Sequence, residues 1–140
     1  MAKPTKLQIA WRLRKAAEKA AKKVTYGGCP RGDLQGWCAI MSWLLRKHFR
    51  AAGYSADLVY GHYKFESDPH CWVASEDTIY DLTLTQFENC KPVMVIRKGH
   101  KWFERFVPVK RVHHFAFFMG WPSDQKPTVT NLEAIQEFLV

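Results

Sequence analysis

Cys38, His70 and Asp81 are the residues of this chain whose types and order could do chemistry together. A thiol becomes a strong nucleophile when a base takes its proton, and an imidazole becomes a dependable base when a third group orients it. A thiol, an imidazole and a carboxylate are the minimum kit for acyl transfer through a thioester. They stand in the segments Gly36-Trp37-Cys38, His70-Cys71-Trp72-Val73 and Tyr80-Asp81-Leu82-Thr83. Whether they meet depends on the elements that carry them.

The thiol opens a helix. From Cys38 onward Met41, Leu44, Leu45, Phe49 and Ala52 recur at the three- and four-residue intervals of one helical face. Gly53 is a good C-terminal stop, and Arg46, Lys47 and Arg50 suit the negative end of the helix dipole. Gly27-Gly28-Cys29-Pro30-Arg31-Gly32 cannot continue a helix, so the element begins near Trp37 or Cys38. Cys38 then lies in the first turn on the inward face, where unpaired backbone N–H groups and the positive dipole end favour a thiolate.

The imidazole and the carboxylate lie on a hairpin. His70 to Ser75 and Thr78 to Thr83 are rich in strand formers, with Glu76-Asp77 as the polar break between them. A turn centred there pairs Ser75 with Thr78 and Trp72 with Asp81. His70, Trp72, Asp81 and Thr83 then share one face, with His70 and Asp81 as diagonal neighbours roughly 7–8 Å apart at the backbone. A turn of odd length would send Asp81 to the other face.

These segments, together with Gly53-Tyr54-Ser55-Ala56-Asp57-Leu58-Val59-Tyr60-Gly61, resemble the transglutaminase-like superfamily of papain-fold cysteine enzymes. That family's core reads Gly-x-Cys at a helix start, a Gly-containing strand, His-x-Trp-Val, then Asp-x-Thr. The resemblance spans residues 35–87 and implies Cys38 as nucleophile, His70 as general base and acid, and Asp81 as the group that orients the imidazole. It implies an α+β domain in which the helix bearing the nucleophile packs on an antiparallel sheet. The activity implied is that of a peptidase or amidase acting on a peptide or protein, with acyl transfer to an amine as the alternative. A non-catalytic binding module that keeps the fold is the third class. Short members of this kind are common in bacteria and phages. Papain-like peptidases set an oxyanion-hole glutamine further upstream; here the nearest is Gln35, three residues before Cys38. Gln35, the Cys38 amide, Trp37 and Trp72 are the expected oxyanion donors or walls of the site. The calcium sites of the long animal transglutaminases have no room here, and the reading calls for no cofactor and no metal.

With 140 residues, 47% of them hydrophobic, the sequence reads as one domain over 1–140 with a real core. No apolar run reaches membrane-spanning length, and residues 1–30 lack the stretch of a secretion signal, so reduced thiols in the cytoplasm are expected. The net charge of +8 is concentrated: residues 1–23 hold eight Lys or Arg against Glu18 alone, a balance of +7. About residues 5–23 read as a basic helix, with Ile9, Leu13, Ala16, Ala17 and Ala20 on one face and the cations elsewhere. The plain reading is a solvated amphipathic helix packed on the core; the functional one is docking of an acidic partner. Nothing supplies base-reading specificity, so nucleic acid is not the expected partner.

Further on, Pro92 to Ile96 and Val112 to Phe118 read as strands, Lys98 to Trp102 as a loop, and Pro122 to Pro127 as a linker. Asn131 to Leu139 reads as a helix capped by Thr130 or Asn131. By strand parity Cys71 should face away from His70 and be structural. Cys29 and Cys90 have no partners at metal-ligand spacing. His62, His100, His113 and His114 read as structural or surface residues, and Asp57 has no evident role.

Overall fold

A computed structural model of the chain describes residues 2–23, 37–64, 66, 69–114 and 129–139. The fold is α+β. Helices α1 (Lys6–Lys23) and α2 (Cys38–Ala51) come first, then strands β1 (Asp57–Tyr63), β2 (His70–Ser75), β3 (Thr78–Asp81), β4 (Met94–Arg97) and β5 (Phe106–Val112), and last α3 (Val129–Glu137). The strands form one antiparallel sheet in the order β4-β3-β2-β1-β5.

Local sequence sets the ends of the helices. Thr5 Oγ1 accepts the Gln8 N–H at 3.0 Å while Gln8 Oε1 accepts the Thr5 N–H at 2.9 Å, a reciprocal capping box that starts α1. α2 stops as the glycine predicts. Gly53 takes φ +91, and the Gly53 and Tyr54 amides turn back to the Arg50 and Phe49 carbonyls at 3.0 and 2.9 Å.

One layer of core lies between the helices and the sheet. Ile9, Leu13, Ala16, Ala17 and Ala20 of α1 pack there with Ile40, Leu44, Leu45 and Phe49 of α2, Val73 of β2 and Ile135 of α3. α1 is thus an integral part of the core. Its cations are not all on the solvent side, however: Arg14 is buried. It donates to the Leu82 carbonyl at 2.6 Å, to Thr85 Oγ1 at 3.1 Å and to Glu18 Oε2 at 3.0 Å. A buried cation is tolerable only with such partners. Here they fasten α1 to the segment just after Asp81.

The opposite sheet face carries a second cluster of Val59, Tyr63, Trp72, Ile79, Leu84, Ile96 and Phe106. Gly61 makes close packing possible there, since a Cβ would lie 2.1 Å from the Val107 carbonyl oxygen and 2.8 Å from the Trp72 ring. The register between β1 and β5 shifts at Tyr60/Gly61, opposite Pro108.

Three expectations need correction. β5 occupies Phe106–Val112 and ends where a strand was expected to begin; residues 115–118 lie outside the described ones. Pro108, Lys110 and Arg111 hid it, because an edge strand tolerates proline and charge that a central strand would not. β4 starts at Met94, after Pro92. α3 starts at Val129, which puts Thr130 and Asn131 inside its first turn instead of at its cap. Asp57 also has a role: it bonds Arg50 of α2 and Arg111 of β5.

Candidate active site

The β2–β3 hairpin builds the first half of the site. Its turn has two residues, with Glu76 at φ 57 as such tight hairpins demand. The register is Ser75 to Thr78 and Val73 to Tyr80. His70, first in β2, and Asp81, last in β3, therefore project from the same face. His70 Nε2 lies 2.6 Å from Asp81 Oδ2, with both side chains closed to solvent. The other carboxylate oxygen is held as firmly: Asp81 Oδ1 accepts the Thr83 backbone N–H at 2.8 Å and its hydroxyl at 3.3 Å. The rings of Tyr63, Trp72 and Phe87 surround the imidazole, with centroids 6.4, 6.0 and 5.0 Å away. His70 is thereby fixed in orientation and kept dry.

Cys38 supplies the second half, from the helix side of the sheet. It is the first residue of α2 and only 4% exposed. The first intrahelical bond of α2 runs from the Met41 amide to the Trp37 carbonyl at 3.0 Å. The amides of Cys38, Ala39 and Ile40 thus precede the helical ladder. Trp37, the cap, contributes no side-chain hydrogen bond to them. Cys38 packs against Leu58, Cys71 and Val112.

That contact adds to one expectation. Cys71 does alternate with His70, but the face it points to is the one α2 covers. Cys71 is buried in the core as parity leads one to expect, and from that face it also meets Cys38. Hydrogen bonding from the Cys71 side chain is the strongest influence on the Cys38 thiol. Burial opposes it, His70 adds to it, and the outcome is a Cys38 pKa lowered to about 5. Cys71 itself is pushed well above the usual thiol range by burial and by Cys38, so it stays a thiol and a donor. Burial works against a charged His70, but the Asp81 carboxylate and then Cys38 overcome it and raise the imidazole to about 10. The arrangement favours a thiolate–imidazolium pair.

Of the other expected site residues, Trp72 walls the imidazole. Trp37 is buried in the core between the helices and the sheet. Gln35 lies outside the described residues, as does Cys29. His113 and His114 are exposed beyond β5. Sequence reasoning missed Arg14 and Gln86. Gln86 ends a 3-10 turn over Leu84–Gln86, and its Nε2 stands 3.4 Å from His70 Nδ1 and 3.3 Å from Thr83 Oγ1. Its place five residues after Asp81, within that turn, was the available signal. Among the described residues no group of His, Cys, Asp or Glu is arranged to hold a metal ion, and no helix is long and apolar enough to cross a membrane. No protein-family model, curated protein or solved structure matches the chain.

Proposed function

We propose that this chain is a cysteine hydrolase, a peptidase or amidase of the transglutaminase-like, papain-fold kind, that cleaves an amide through a thioester on Cys38. The observation that carries the reading is the dry His70–Asp81 hydrogen bond of 2.6 Å beside a thiol at a helix N-terminus. A buried carboxylate–imidazole pair is costly to assemble and helps little with folding, so its place next to an acidified thiol favours chemistry over scaffolding.

The steps follow from the atoms. Asp81 occupies Nε2, so Nδ1 is the nitrogen that exchanges a proton with Cys38 Sγ. The thiolate attacks the amide carbonyl carbon, and the first-turn amides of α2 stabilise the oxyanion. As the carbon–nitrogen bond breaks, Nδ1–H donates its proton to the leaving amine, which leaves an acyl thioester. Water, deprotonated by Nδ1, then attacks the thioester; the acid departs and the Cys38 thiol returns. Asp81 keeps the Nε2 proton throughout and stabilises the imidazolium.

Turnover of a mixed library of fluorogenic peptide amides, with intact-mass detection of an acyl adduct, tests this. Wild-type protein should release amine and carry the adduct on Cys38, while Cys38→Ala does neither. Adding a primary amine separates the outcomes: free acid supports a hydrolase, and an amine adduct as the main product replaces that reading with a transferase. Full biological activity in a Cys38→Ala protein would reject the enzyme in favour of a binding module.

A further inference from the structure

The polar groups on His70 other than Gln86 favour charge on it, against the burial that opposes it. Asp81 of β3 and Cys38 of α2 do so directly, and Cys71 of β2 does so through Cys38. Tyr63 of β1, Trp72 of β2 and Phe87 contribute aromatic rings around it. Gln86 is the exception, and its orientation follows from hydrogen counting. Asp81 Oδ1 can only accept, so the single hydroxyl hydrogen of Thr83 is committed to it at 3.3 Å. Thr83 Oγ1 must then act as acceptor toward Gln86, which puts the amide nitrogen and not the oxygen 3.3 Å from it. The same nitrogen stands 3.4 Å from His70 Nδ1. An N–H group facing Nδ1 can bond there only while Nδ1 carries a lone pair, as in the neutral imidazole whose proton sits on Nε2 toward Asp81.

We propose that Gln86 is a positioning residue that acts through His70: its amide donates to Nδ1, stabilises the neutral imidazole and so opposes the thiolate–imidazolium pair. This deepens the hydrolase reading and rests on it for its purpose. An imidazolium whose polar partners prevail over burial gives up its proton reluctantly, whereas the leaving amine needs that proton. Gln86 pulls in the direction of release. When Nδ1 is protonated the two N–H groups oppose each other, and the amide turns away toward whatever acceptor the reacting carbonyl offers.

Both contacts are long, so the effect belongs at the low end for a hydrogen bond, about half a pH unit. The test measures two titrations in the full chain without substrate. Thiolate absorbance of Cys38, taken as the difference from Cys38→Ala, gives the acid limb; the 15N shift of His70 Nδ1 gives the alkaline limb. In Gln86→Leu the alkaline limb should rise by about half a unit, while the acid limb, in which the imidazole is protonated on both sides, stays in place as a control, with unchanged thermal melting. Gln86→Glu puts an acceptor-only group at Nδ1 and should raise the alkaline limb further. Should Gln86→Leu melt early, Gln86→Asn, whose amide is too short to reach, replaces it with the same expected shift. An alkaline limb that stays put or falls in a folded variant overturns the proposal. Because ionisation is read without turnover, failure of the hydrolase reading would appear separately, as absent amide cleavage in wild-type protein whose limbs behave as stated.

Discussion

Asp81→Asn alters one atom of the site, and its consequence can be worked through bond by bond. The Thr83 backbone N–H points at Oδ1 from 2.8 Å and demands an oxygen there. The new amide nitrogen must therefore take the Oδ2 position, 2.6 Å from His70 Nε2. Nε2 then has to accept, which moves the imidazole proton to Nδ1, the atom that should receive the thiol proton. The carboxylate's charge is lost in the same step, and burial now acts on His70 with little opposition. An opposite charge near a titrating group moves it by about 1–3 units, and contact in a dry site belongs at the upper end. The imidazolium should then be lost well below the wild-type value of about 10. Cys38 should rise from about 5 by about 2–3 units as its cationic neighbour disappears. A depressed thiol pKa gives reactivity that is present above it and lost as pH falls through it. Alkylation of Cys38 at pH 6 should accordingly slow by roughly ten- to a hundredfold in Asp81→Asn, while a pH high enough to ionise both proteins erases the difference. Iodoacetamide rates against pH, mapped by mass, provide the assay, with near-UV circular dichroism to confirm the fold. Superimposable pH profiles in two folded proteins would refute the reasoning. If the chain is a hydrolase, turnover should fall by about 10^4, as for the same change in a serine triad.

Replacing Cys71 separates its donor from its bulk. Cys71→Ala should move the alkylation limb of Cys38 upward at least as far as Asp81→Asn does, because Cys71 is the strongest influence on that thiol, and Cys71→Ser, which keeps a donor, should move it less; equal shifts would assign the effect to packing. Arg14→Met keeps much of the unbranched stem of the side chain but strips the Leu82 carbonyl and Thr85 of a buried partner. Urea unfolding should show a loss of about 2–4 kcal/mol, and a loss within error would mean that the fastening of α1 is ornamental. Gly61→Ala should destabilise more than Gly99→Ala, because its Cβ would meet backbone oxygen at 2.1 Å, whereas at Gly99 nothing lies within 4 Å and the cost is the backbone strain of φ +96 alone. Comparable melting temperatures for the two would contradict the close approach of β1 and β5.

How much was legible depended on whether a feature is local. The start of α2 at Cys38, its stop at Gly53 and the turn at Glu76-Asp77 are each written in a few adjacent residues. The register that aligns His70 with Asp81 follows from that turn alone. The contact of Cys71 with Cys38 was not legible because strand parity says which face a side chain takes but not what covers the face. Arg14 sits one residue from Leu13 and Lys15 and has no local mark of burial; its acceptors, Leu82 and Thr85, are 68 and 71 positions away. Gln86 depends on a 3-10 turn, whose short period gives no hydrophobic pattern to read. β5 escaped because edge strands are built to look unlike strands.

The central claim is that Cys38 is held as a thiolate and is the nucleophile. Exposure and electrostatics rank the described thiols in opposite orders. Cys38 is buried while Cys90 is half-exposed, yet burial of its thiol and nearby carboxylates raise Cys90 to about 11 and hydrogen bonding from Cys71 lowers Cys38 to about 5. Partial alkylation of the native protein with iodoacetamide at pH 6.5, followed by peptide mass mapping, decides between them in one measurement. The account predicts label on Cys38 before Cys29, Cys71 or Cys90, and loss of that preference in His70→Ala. Label on Cys90 first, with Cys38 protected until the protein unfolds, would contradict it.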